Sequence, residues 1–366
     1  MYRKEACRIK WGQIVLKTEE RIPVDLIRTV AIVLVIMVHA AIEPHPVVQV
    51  MDQTEVVRWL TVTTYNALAG TSVPLFVMLS GALLLQPSKI EPVRVFLKKR
   101  LIRIGLPFIL WGTVYFVWRF VVNHEALSAS SIFQGILTGP YYHFWFLYML
   151  FGLYLITPVL RVVTAFAERR IIKYFLILWL LGTSVVPLLV LLSGFAVETK
   201  IFAITGWVGY FLLGFYLLDT RVRGSRLFIL WLTGILWTIL GTYTVTALVG
   251  GHSGFFFLDY LSSASLILAS ASLFLLLGKI QPSAVETSSS RINRLICFIG
   301  QSTLSIYLLH VIILESFQKG YFGFQLSVNT INPIVEIPII TIITLFVCVG
   351  IIFLLKRVPV LKKIVG

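Results

Sequence analysis

Arg28 and His39 stand eleven residues apart in the apolar run from Asp25 to Glu43. Ionisable side chains inside such a run are costly, so each calls for a partner or a task. At 1.5 Å and 100° per residue, they lie roughly 16 Å apart on nearly one helix face. A neutral imidazole near pH 7 takes a proton from a hydroxyl, which makes His39 a candidate general base. The Arg28 guanidinium is a candidate for holding an anion or lining a cavity. Glu43 lies four residues past His39, where it would orient the ring, although Pro44 predicts that the helix ends there. The plain alternatives are an arginine snorkelling to headgroups and an interfacial histidine bonded to a neighbour.

Other candidates fall later in the chain. Arg100 and Arg103 are three apart, a spacing that predicts a shared helix face and capture of phosphate by two guanidinium forks. His143, Trp145 and Tyr148 follow Tyr141 and Tyr142 and suggest a stacking platform for a sugar, or an ordinary aromatic belt. Thr303, Tyr307 and His310 repeat at i, i+4 and i+7, so they are expected to line one face of a polar segment. Ser80 and Tyr307 are candidates for stabilising an oxyanion, as is a backbone amide. No phosphate-binding glycine loop, dinucleotide turn, cysteine-rich cluster or nucleophile elbow is present. His39 and Glu43 have no third ligand nearby in sequence, so no metal is expected.

The chain that must position these residues has 366 of them, 58% hydrophobic and 13% charged, with mean hydropathy +0.92. A soluble domain carries about 25% charged residues. The expected fold is therefore all-α: a polytopic membrane protein with about ten transmembrane helices. The windows fall near 24–42, 60–85, 104–122, 143–162, 174–193, 203–218, 227–249, 258–278, 295–317 and 336–355. A basic tail, 1–22, precedes a single membrane domain, 23–356, and 357–366 closes the chain. The first span has no small-residue cleavage site after it and is expected to stay as an anchor.

The formal charge of +15 is better assigned to cytoplasmic loops than to nucleic-acid binding. With both termini inside, only Arg58, Arg119, Lys200 and Lys319 of the 31 Lys and Arg fall outside. The histidines at 39, 45, 124, 143, 252 and 310 all fall towards the exterior. Cys7, Cys297 and Cys348 are too scattered for a disulfide framework.

Taken in order, these elements resemble the acyltransferase-3 family of bacterial membrane acyltransferases. Arg28-x10-His39 is similar to its first signature. Pro74-Leu-Phe-Val-Met-Leu-Ser-Gly81 is similar to its second-span motif, and Arg100-Leu-Ile-Arg103 with Pro107 to its Arg-x-x-Arg element. His143-Phe-Trp-Phe-Leu147 and Ser302-Thr-Leu-Ser-Ile-Tyr-Leu-Leu-His310 resemble its fourth-span and late-span signatures. The resemblance implies a plasma (inner) membrane O-acyltransferase. An acyl group, acetyl or succinyl, would pass from cytoplasmic acyl-CoA, a co-substrate rather than a tightly bound cofactor. The acceptor would be a hydroxyl on an extracytoplasmic or lipid-linked glycan.

It also implies that His39 is catalytic, that Arg28 supports it or the donor, and that Arg100 and Arg103 meet the CoA phosphates. The bilayer is the expected surround, and a homo-oligomer is compatible with the sequence. A transporter or flippase of a lipid-linked saccharide also explains polar spans and aromatic belts, but not basic inner elements paired with an outer histidine. No internal repeat of the kind transporters show is visible. A scaffold for other glycan enzymes is a third reading.

Overall fold

The computed structural model describes residues 22–41, 53–87, 91–126, 128–193, 206–249, 253–261, 263–281, 290–326, 332–359 and 361. Glu43, Cys7 and nearly all of the basic N-terminal tail lie outside them, as do Lys362 and Lys363. Among the described residues every regular element is helical. The helices are α1 (Val24–Ala40), α2 (Gln53–Ala69), α3 (Ser72–Leu84), α4 (Val93–Val121), α5 (Ala129–Thr138), α6 (Trp145–Phe166) and α7 (Arg169–Leu180). Then come α8 (Val186–Ser193), α9 (Gly206–Leu217), α10 (Gly224–Val249), α11 (Ala264–Gly278), α12 (Arg291–Gln301), α13 (Thr303–Gln318) and α14 (Pro333–Leu355).

Six stretches are long and apolar enough to cross a bilayer: 55–84, 93–121, 129–166, 169–193, 224–249 and 333–355. The pair α12–α13 adds a seventh if counted as one broken span. Large apolar side chains stand exposed on the outer helices, among them Ile109, Phe166, Leu189 and Leu240. Water would not tolerate so much apolar surface, and hydrocarbon does. The chain is a polytopic, all-helical membrane protein.

The 17-residue α1 and 13-residue α3 are among the most buried elements. α1 has 17 residues and packs against α2, α3, α11, α12, α13 and α14. Its buried residues Ile27, Ala31, Ile32, Val35 and Ile36 face that ring of neighbours. Thr29 Oγ1 donates to the Ile296 carbonyl at 2.9 Å and ties α1 to α12. α3 is buried nearly all round and crosses α9 at contact made possible by glycine. A Cβ on Gly81 would stand 1.8 Å from the Phe211 carbonyl oxygen, and one on Gly214 1.9 Å from that of Met78. Small residues let membrane helices approach this closely.

Two expectations need correction. The span expected over 295–317 is not one helix: α12 and α13 meet at 84° about Ser302. Ser302 leaves helical geometry, with φ −102° and ψ 10°. The Thr303 hydroxyl donates to the Gly300 carbonyl at 2.5 Å, answering a helix-end acceptor. α12 is amphipathic, with Arg291, Ile292 and Arg294 at or near its surface, and suits an interface better than a span. Second, the outer loop expected before residue 141 contains α5, capped by Ser128 and Ser131 in a reciprocal box. The second span stands as one stretch, 55–84, in which α2 passes into α3 at Gly70 and Thr71. In the span expected over 174–193, residues 181–185 form a π turn before Pro187, whose ring cannot accept a regular helical path. Cys297 and Cys348 are buried and form no disulfide.

Candidate functional site

α1, α13 and the turn at Tyr142–Phe144 converge on three imidazoles. The His39 ring centroid lies 5.2 Å from that of His310, and His143 lies 5.7 Å from His310. His143 and His310 are fully buried. His39 comes from the last turn of α1 and His310 from the middle of α13, so the α1–α13 packing sets their separation. The same interface reaches back to Arg28. That arginine pairs with Asp25 at 3.6 Å, and Asp25 accepts from Gln301 Nε2 at 3.5 Å, just before α13 begins. One helix pair therefore carries Arg28 at one end and His39 towards the other.

Backbone contacts fix the cluster. His310 Nδ1 lies 2.6 Å from the Tyr307 carbonyl oxygen. A carbonyl can only accept, so the proton sits on Nδ1 and the lone pair on Nε2. His310 Nε2, His39 Nδ1 and both His143 ring nitrogens are buried without a hydrogen-bond partner. Buried polar atoms left in this state are costly in a resting protein and available to a ligand. The Tyr307 hydroxyl donates to the His143 carbonyl, and Tyr115 donates to that of Leu308 at 2.8 Å. Tyr307→Phe is expected to orphan the His143 carbonyl and cost about 1–3 kcal/mol of stability. Thermal unfolding in detergent checks this, and an unchanged midpoint would show that the bond does not hold the turn.

The outer rim of the cluster is aromatic. Tyr142 is half exposed and meets His39 edge-on at 5.4 Å. Tyr141 donates to Glu315, whose second oxygen accepts from Trp118 Nε1 at 3.0 Å. Lys319 lies 3.9 Å from Glu315 and donates to Asn123 Oδ1 at 2.6 Å. Glu315 was missed in the sequence, although an acid in an apolar helix five residues past His310 was the available signal.

The platform expected from His143, Trp145 and Tyr148 is not a single surface. His143 joins the imidazoles, and Trp145 stacks near Trp207 and Tyr260 at 5.7 and 6.3 Å. Tyr148 instead donates to the Ile136 carbonyl and meets Phe108 edge-on. Positions 145 and 148 part because each packs on a different neighbour, Trp145 on α9 and Tyr148 on α4. Tyr307 and His310 share the inward face, whereas Thr303 is spent on the Gly300 carbonyl.

The inner arginines differ in their surroundings. Phe96, Ile104, Pro107, Trp111 and Tyr115 form the buried stripe of α4, and Arg100 lies on it. Its guanidinium carbon is 5.4 Å from the Phe96 ring centroid and 5.6 Å from that of Tyr154. Arg103, three residues on, is more exposed than Arg100. Arg161, another residue missed in the sequence, reaches the same aromatic wall from α6. Its signal was a charge near the end of the apolar run 143–162. Ser80 is half-buried on α3, next to the α9 crossing. No group of three His, Cys, Asp or Glu among the described residues has an arrangement that would hold a metal ion.

A broken helix, a cluster of imidazoles with unpartnered nitrogens and arginines packed on aromatic rings thus lie between the helices of a polytopic membrane protein. The acyltransferase-3 profile, an acyltransferase domain, matches residues 22–353. The chain belongs to that family and is a membrane acyltransferase. No curated protein and no solved structure matches it.

Proposed function

We propose that this protein moves an acyl group, most simply acetyl, from cytoplasmic acyl-CoA to a hydroxyl of an extracytoplasmic or lipid-linked glycan. Succinyl transfer would use the same residues. The observation that supports this reading best is the imidazole cluster, with unpartnered nitrogens towards one end of the α1–α13 pair while cationic side chains gather towards the other. The frame it assumes is a single membrane domain, 23–356, of ten spans in the plasma (inner) membrane. Both tails, 1–22 and 357–366, face the cytoplasm. α1, α9 and α11 count among those spans despite their 17, 12 and 15 residues.

Charge gives the donor side its logic. The carrier's phosphates cannot enter hydrocarbon without a large cost, whereas a thin, uncharged thioester arm can pass between helices. In direct transfer, His39 takes the acceptor hydroxyl proton as the oxygen attacks the thioester carbonyl. The carbon–oxygen bond forms, the carbon–sulfur bond breaks, and the imidazolium returns its proton to the departing thiolate. Tyr307 already spends its hydroxyl proton on His143, so Ser80 or a backbone amide is the better donor to the oxyanion. Arg28, held by Asp25, supports the donor end of the path.

Purified protein given radiolabelled acetyl-CoA and a glycan acceptor should move label onto the glycan as a base-labile ester. Label that stays on CoA would favour a transporter instead.

A further inference from the structure

Two arginines stand beside one aromatic ring, each with a buried donor that makes no hydrogen bond. Arg100 Nε and Arg161 Nη2 are both buried and make no hydrogen bond. Their guanidinium carbons lie 5.4 and 4.5 Å from the centroid of one ring, Phe96, which Tyr154 meets edge-on at 6.3 Å. Glu91 is the acid facing this pair. Its Oε1 stands 3.8 Å from Arg161 Nη2, beyond hydrogen-bond reach, while Oε2 accepts from Lys99 at 2.9 Å. One carboxylate therefore serves three cations, and the pair keeps net positive charge.

The geometry is also preset. Arg161 Nε donates to the Leu84 carbonyl at 2.8 Å, and Thr164 Oγ1 donates to that of Leu85 at 2.9 Å. These bonds pin α6 to the last turn of α3 and fix the Arg161 stem while Nη2 stays unused. A buried guanidinium with idle donors and a shared counter-ion is unfavourable until an anion arrives. Planar forks brought to one ring from two helices suit the oxygens of a phosphate.

We infer that Arg100 and Arg161 together form a phosphate-binding site, with Phe96 and Tyr154 as its apolar walls. Arg161, rather than Arg103, is the second cation of this site. That the phosphate belongs to the acyl carrier rests on the donor reading above; a phospholipid headgroup presents the same chemistry. On the donor reading, the site grips the charged end of the carrier while the acyl arm extends towards His39.

The test uses the full chain in nanodiscs, with CoA and phosphate-free pantetheine as probes. Arg161→Met and Arg100→Met are each expected to weaken CoA binding at least tenfold and leave pantetheine unchanged. Arg94→Gln, on the exposed side of α4, should match the parent. Arg161→Lys keeps the charge without the fork and should lose part of the affinity; it decides the matter should the methionine variants not fold. An Arg161→Lys or Arg161→Met protein that binds CoA within threefold of the parent overturns the site. If the parent ignores CoA but binds phosphatidylglycerol, and the arginine variants lose that lipid, the site stands and the donor reading falls. If CoA binds normally and no acyl group moves, the function fails and the site survives.

Discussion

His39→Ala should reduce acyl transfer at least a hundredfold while the protein inserts and folds normally. A positioned general base contributes about 10²–10⁴-fold, so its removal should cost that range in kcat. The reasoning starts from the ring's surroundings. His39 Nδ1 is buried and has no hydrogen-bond partner, so the side chain is not spent on holding the fold. Its nearest rings, Tyr142 and His310, keep their own anchors: His310 on the Tyr307 carbonyl, and Tyr142 in the turn that Tyr307 ties down. Truncation should therefore leave the cluster standing. His39→Gln, which keeps a polar side chain but cannot take a proton, should be nearly as inactive. Transfer at more than a third of the parent rate in either variant would remove His39 from the chemistry.

Gly81→Val should be the most damaging substitution to the fold. The added Cβ alone would meet the Phe211 carbonyl oxygen at 1.8 Å, and the obstacle is helix backbone rather than a movable side chain. The Met78 carbonyl stands equally close to Gly214, so each helix presses a carbonyl onto the other's glycine. α3 and α9 would have to part, taking the α1–α3 contact with them and shifting the helix that carries His39. Overpacking of this kind costs about 1–3 kcal/mol or more, and backbone against backbone belongs at the upper end. The expected result is little monodisperse protein and a sharply lower unfolding midpoint. Gly152→Ala is the control: nothing lies within 4 Å of a Cβ there, and alanine favours helix by up to about 1 kcal/mol. A Gly81→Val protein as stable as Gly152→Ala would show that the close crossing is not real.

Much of this was readable from residue types. The helical membrane class followed from hydropathy, because a window of about 20 apolar residues has few other uses. His39, His143 and His310 were legible as costly polar groups, but not as one cluster, since a long stretch of chain lies between each. The break at Ser302 was invisible because hydropathy averages across a single residue whose φ and ψ decide the path. The divergence of Trp145 from Tyr148 has another cause. Spacing of three is compatible with one face, as Tyr307 and His310 show, but the neighbour each side chain packs on is set by distant helices. Arg161 and Glu315 were present as charges in apolar runs. Their roles depend on Phe96, Leu84, Tyr141 and Trp118, partners that only the packing of distant helices brings near.

The central claim is that an acyl group crosses the protein while its phosphorylated carrier stays behind. Sealed inverted membrane vesicles expose the cytoplasmic face to the medium and enclose the periplasmic one. Given acetyl-CoA labelled in the acetyl group from outside, vesicles with the parent protein should accumulate label on enclosed glycan as an ester released by mild base, and His39→Ala vesicles should not. Label that never leaves CoA, or that reaches the enclosed glycan equally in both, would contradict the account.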